Sequence, residues 1–104
     1  MIENVLIVDD NSEFTASLYK YIQTEIKGIK KIGIVSNGNE ALEYITNMKP
    51  DIIILDFKKR KLNGIDFLKK INNIDIKVIV VSEEIHLINE LFVKDFCNVQ
   101  NVYI

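Results

Sequence analysis

Three apolar runs punctuate the chain without polar alternation: residues 5–8 (VLIV), 52–55 (IIIL) and 78–81 (VIVV). Uninterrupted runs of this length are expected of strands buried on both faces of a parallel sheet. Each stops at a polar residue, respectively Asp9-Asp10, Asp56 and Ser82. Between them the periodicity becomes helical. Asn11 or Ser12 caps a helix whose Phe14, Leu18, Ile22 and Ile26 recur every fourth residue as a core stripe, and Gly28 ends it. Lys31–Val35 reads as a short second strand. The cluster Ser36-Asn37-Gly38-Asn39 reads as a turn, after which Ala41, Leu42 and Ile45 mark a second helix, closed by Pro50. Gly64–Ile71 is expected to be a third helix with Ile65, Leu68 and Ile71 inward. A fourth begins at Glu83-Glu84, where acidic residues suit the positive end of the helix dipole, and presents Ile85, Ile88, Leu91 and Phe92. Residues 101–104 (NVYI) read as a fifth strand.

Strands alternating with helices of this length imply βαβ units and a doubly wound α/β fold with a parallel sheet and helices on both faces. Right-handed crossovers place all strand C-termini on one edge, so Asp9, Asp10, Asp56 and Ser82 are expected to converge there. Open α/β sheets bind their ligands at that edge.

Composition narrows the classes without changing this picture. The chain has 104 residues, the size of one domain, and is 48% hydrophobic and 27% charged, as in an ordinary globule. With 13 basic and 15 acidic residues the net charge is −2, no footprint for direct nucleic-acid or anionic-membrane contact. No apolar run approaches the roughly 20 residues of a membrane span. A single cysteine, Cys97, excludes an internal disulfide, fits a cytoplasmic location, and reads as a small buried hydrophobe. His86, the only histidine, has no His or Cys partner at metal spacing and reads as a surface residue.

The chemistry lies at the acidic edge. Three carboxylates at neighbouring strand ends repel one another unless a cation neutralises them. Oxygen-only donors favour a hard ion, and Mg²⁺ takes one or two carboxylates while keeping waters and phosphate oxygens. Mg²⁺ with a phosphoryl group is therefore the natural ligand. Asp56 can serve as a ligand or as a nucleophile towards phosphorus, and Ser82 can hydrogen-bond a phosphoryl oxygen. The structural alternative is that these residues merely end their strands.

Asp9-Asp10 after VLIV, KPDIIILDF around Asp56, the LNG that closes eight residues beyond it, and VIVVS ending in Ser82 together resemble the receiver domain of bacterial two-component response regulators. The resemblance spans residues 1–104 as one domain. It implies a flavodoxin-like five-stranded parallel sheet in the order 2-1-3-4-5, here stopping at strand five with the last helix missing. It also implies a phosphoacceptor, not a turnover enzyme, that receives its phosphoryl group from a sensor histidine kinase or phosphotransfer protein. By the same resemblance Asp56 is the phosphoacceptor and Asp10 the direct Mg²⁺ ligand, with Asp9 acting through water. The backbone carbonyl of Lys58 completes the metal's protein ligands together with Asp56, and Ser82 is the switch hydroxyl. An output domain or a homodimer partner would read the switch.

The chain departs from the family pattern at three places. Arg60 stands where receivers carry proline, Glu83 follows the switch hydroxyl where a small residue is usual, and the strand-five lysine has no counterpart. The basic run Lys58 to Lys61 reads either as a solvated loop or, through Lys58 or Lys59, as the substitute for that lysine's charge. Two rivals remain: a pseudo-receiver that binds a partner without phosphorylation, and an aspartyl-phosphate hydrolase of the haloacid dehalogenase type. The second requires Asp-x-Asp after the first strand, where this chain has Asp9-Asp10-Asn11.

Overall fold

The computed structural model describes residues 2–56, 64–81 and 99–103. Lys58, Ser82, His86, Cys97 and the helix expected from Glu83 lie outside the described residues. Eight elements follow in order: β1 (Asn4–Val8), α1 (Ser12–Glu25), β2 (Lys31–Val35), α2 (Gly38–Met48), β3 (Ile52–Asp56), α3 (Gly64–Ile71), β4 (Lys77–Val81) and β5 (Val99–Tyr103). The strands form one parallel sheet, as the alternating pattern leads one to expect, in the order β2-β1-β3-β4-β5 that the receiver resemblance implies. Strand five begins at Val99, two residues before its expected start, and a register shift at Val78/Ile79 accommodates it against β4.

One face of the sheet is closed. Leu6, Val8, Ile53, Leu55, Val78 and Val80 pack there against Ala41 and Ile45 of α2 and Phe67, Leu68 and Ile71 of α3. Among the described residues Phe67 is the largest fully buried side chain, at a position that the spacing of Ile65, Leu68 and Ile71 does not single out. The opposite face is less covered. Val5, Ile7 and Ile22 are buried there, whereas Ile52 and Ile54 are half-buried. β3 therefore alternates between buried and half-buried positions, in place of uniform burial. Among the described residues, Leu18 and Ile22 of α1 with Ile29 and Ile32 are the side chains that pack on this face beside the sheet's own Val5, Ile7, Ile52 and Ile54.

α1 also departs from its expected stripe. Successive steps of four residues rotate by about 40° in a 3.6-residue helix, so Phe14 stands about 80° from the inward Ile22, while Ile26 lies beyond the last helical residue in extended backbone. Both turn away from the sheet, and Thr15 takes the inward place instead. The helix ends at Glu25 with Ile26 as its C-cap, and Gly28 occupies the following turn at φ 90°. Asn37 and Gly38, read as a turn, are the N-cap and first residue of α2. The Asn37 side chain accepts the Glu40 N–H at 2.9 Å, and Glu40 reaches back to accept the Ser36 N–H at 2.8 Å. This reciprocal bonding is a shifted form of the capping box.

At the far edge of the sheet, Asp51 accepts the N–H groups of Glu3 and Asn4, each at 2.9 Å, and pins the start of β1 beside β3. Among the described residues, no helix is long and apolar enough to cross a membrane.

Candidate functional site at the carboxyl edge of the sheet

The chain leaves β1 through Asp9, Asp10 and Asn11. The Asp9 N–H donates to the Val35 carbonyl at 3.0 Å, which carries the β1–β2 ladder one residue past the Val8–Val35 pair. Asp9 is only 5% exposed, and its Oδ1 accepts the Asn11 N–H at 2.9 Å. A buried carboxylate needs such donors, because losing hydration without compensation is costly. Asn11 then turns the chain into α1. Its side-chain oxygen accepts the Phe14 N–H at 3.1 Å, and its carbonyl accepts the Thr15 N–H at 3.0 Å. Thr15 in turn donates its hydroxyl to the Ser12 carbonyl at 3.1 Å. The Asp9 carboxylate and the first turn of α1 thus form one bonded unit.

Asp56 ends β3 and stands in register with Val81 of β4, itself paired with Tyr103 of β5. The Val8–Leu55 pair sets Asp9 and Asp56 one residue further along adjacent strands, whose spacing is about 4.8 Å. They extend the row of same-face pairs Val5–Ile52 and Ile7–Ile54. Asp56 is half-buried and Asp10 is exposed. The amino end of the 14-residue α1 lies at this edge, and its dipole favours anions there. The three aspartates singled out in the sequence therefore share one edge. Among the described residues, no three His, Cys, Asp or Glu side chains form a cage for a metal ion. Lys58 and Ser82, the other expected site residues, lie outside the described residues.

Sequence reasoning missed the Asp9–Asn11 bond and the inward Thr15. The Asn-capped start of α1 was the available signal, since an Asp two residues before it can form an Asx turn. An open cavity of about 390 Å³ lies nearby, between Asn37 and Gly38 at the start of α2 and Asp66 and Lys70 on α3. None of the three aspartates lines it.

Residues 5–95 match the model of the response regulator receiver domain. The chain is 44% identical over 81 residues to a protein-glutamate methylesterase/protein-glutamine glutaminase of Bacillus subtilis (strain 168), covering 77% of this chain and 22% of that protein. It thus spans about a fifth of such relatives. It is 42% identical over 82 residues to the chemotaxis protein CheY of Thermotoga maritima, covering 77% of this chain and 67% of that protein. Among solved structures, the response regulator domain of Thermotoga maritima CheB superposes with a TM-score of 0.74 at 31% identity, covering 98% of this chain and 77% of that one. A CheY-like receiver from Methanospirillum hungatei JF-1 gives a TM-score of 0.82 at 23% identity, covering 99% of this chain and 81% of that one, a likeness of fold. The sheet order, the shared acidic edge and these matches agree, and the chain belongs to the receiver domain family of two-component response regulators.

Proposed function

We propose that this domain is a Mg²⁺-dependent phosphoacceptor, with Asp56 receiving a phosphoryl group from a sensor histidine kinase or phosphotransfer protein. The observation that carries the reading is the place of Asp56: at the end of β3, one step beyond the Val8–Leu55 pair, beside Asp9. The donor set fits Mg²⁺. Asp9, Asp10 and Asp56 offer only hard oxygen ligands, and Mg²⁺ needs one or two carboxylates rather than a cage of three. Asp10 would bind directly, Asp9 through water, and Asp56 and the Lys58 carbonyl would complete the protein ligands. When bound, the ion would offset the negative charge gathered on the carboxylates and phosphoryl oxygens.

The remaining residues act around the acceptor. Ser82 donates its hydroxyl to a phosphoryl oxygen, and Lys58 or Lys59 supplies compensating positive charge. Phosphorylation then biases a two-state equilibrium that an output domain or a homodimer partner reads. The domain works in the cytoplasm, where such kinases present their phosphohistidine. One observation favours a second reading, a pseudo-receiver that binds its partner without phosphorylation: Glu83 puts bulk and negative charge next to the switch hydroxyl.

Borohydride reduction separates the two readings, because it converts an aspartyl phosphate into homoserine. After incubation with acetyl phosphate and Mg²⁺, homoserine is expected at position 56. Folded protein that yields none at any aspartate supports the pseudo-receiver.

A further inference from the structure

We infer that Asn11 is a positioning residue for the Mg²⁺ site: its helix cap fixes the backbone N–H that orients the Asp9 carboxylate. The inference rests on the proposed reading of Asp9 as a ligand acting through water. Three bonds meet at Asn11, one to Asp9 and two to the first turn of α1. Its N–H donates to Asp9 Oδ1 at 2.9 Å, and its side-chain oxygen holds the Phe14 N–H at 3.1 Å. The first bond commits one carboxylate oxygen to the backbone and so restricts how the group can turn. The second, with the Thr15 N–H on the Asn11 carbonyl at 3.0 Å, anchors Asn11 to the first turn of α1 in its extended conformation (φ −89°, ψ 105°). Without the cap, the residue that aims Asp9 is tied to the helix by its carbonyl alone. A water-mediated ligand is sensitive to such freedom, since the carboxylate must keep both direction and distance to hold the bridging water.

The structure supplies its own control. Asn37 caps α2 by the same chemistry, accepting the Glu40 N–H at 2.9 Å, and Glu40 in turn accepts the Ser36 N–H. Glycine at an N-cap removes the oxygen with little loss of stability, so it separates positioning from folding. The experiment is Mg²⁺ titration of the ¹⁵N-labelled chain, following amide shifts at residues 9–11, for wild type, Asn11→Gly, Asn11→Ser and Asn37→Gly. Melting temperatures are measured alongside.

Asn11→Gly is expected to weaken Mg²⁺ binding on the order of 10-fold, the low end for a supporting partner of a metal ligand. Asn11→Ser, which keeps a capping oxygen, restores the wild-type affinity. Asn37→Gly shifts the melting temperature like Asn11→Gly and leaves the affinity unchanged. Wild-type affinity in Asn11→Gly, or an equal loss in Asn37→Gly, would overturn the role of Asn11 while the site itself stood. No Mg²⁺-dependent shift even in the wild type would instead overturn the reading of the site, and this inference with it.

Discussion

Asp9 and Asp56 close neighbouring parallel strands at one level and on one face, a single residue beyond the Val8–Leu55 pair. The register that brings them together sets their backbones about one strand spacing apart, close enough for one divalent cation to be shared. Mg²⁺ is therefore expected to stabilise the domain by mass action. At a concentration tenfold above Kd the gain is about 1.4 kcal/mol, seen as a melting temperature that climbs with Mg²⁺ and falls back on adding a chelator. A melting temperature indifferent to Mg²⁺ across the millimolar range would count against the site.

Acid stability depends on a different aspartate. The N–H of Glu3, and then that of Asn4, hold the Asp51 carboxyl below its ordinary value, with burial opposing them in part. The unfolded chain binds the proton more readily than the folded one. The contribution of Asp51 is thus complete above its ordinary value of 3.8 and is lost as pH falls through the lower folded value. Asp51→Asn is expected to lower the melting temperature at neutral pH and to flatten its acid limb. Parallel acid limbs in the variant and the wild type would show that these bonds do not discriminate between the charge states.

A tighter constraint joins β2 to α2. A Cβ placed on Gly33 would stand 2.5 Å from the Tyr44 ring, and the buried Tyr44 hydroxyl has no hydrogen-bond partner among the described residues. Burial also pushes the Tyr44 phenol above its usual value. Gly33→Ala is expected to cost about 1–3 kcal/mol, a cost that Tyr44→Ala relieves in the double mutant. Tyr44→Phe should stabilise by about 1 kcal/mol, because it removes an unsatisfied hydroxyl and keeps the ring. Chemical denaturation of the four variants checks both. Strict additivity of the Gly33 and Tyr44 changes would refute the contact.

Two aromatic side chains on α1 follow the site outwards. Phe14 and Tyr21, two turns apart on one face, are 39% and 59% exposed, with half-buried Leu18 between them. If the proposed kinase or phosphotransfer protein docks along α1, this exposed apolar strip is a surface it would cover. On that reading the double change Phe14→Ala with Tyr21→Ala is expected to slow transfer from the proposed phosphodonor protein at least about 10-fold. Uptake from acetyl phosphate should stay at the wild-type rate. Equal slowing with both donors would place the effect in the site and not in docking.

The sequence shows the three central strands clearly because they are short, β-branched apolar runs bounded by polar and turn residues, and it is their brevity and flanks, not their period, that mark VLIV and IIIL as strands. Their terminal aspartates were legible for the same reason: topology alone sends every strand end to one edge. The faces of the helices were harder to read. A strict four-residue spacing looks like a stripe on paper, yet its drift carries Phe14 off the sheet, the helix ends before Ile26, and the inward Thr15 goes unmarked. Asn37-Gly38 carries a turn signal that also suits an N-cap, and the reciprocal Ser36–Glu40 bond decided between them. Asp51 was unreadable because its donors lie 47 and 48 residues away, and only the folded register brings them together. The Gly33–Tyr44 contact was hidden likewise, since nothing local marks which ring a strand glycine admits.

The most direct test of the central claim is the intact mass of the chain after incubation with acetyl phosphate, compared for wild type, Asp56→Asn, and wild type with a chelator. The account predicts one added phosphoryl group on the wild type in the presence of Mg²⁺ and none in the other two samples. An unmodified wild type that is folded and binds Mg²⁺, or a phosphoryl group that persists in Asp56→Asn, would contradict it.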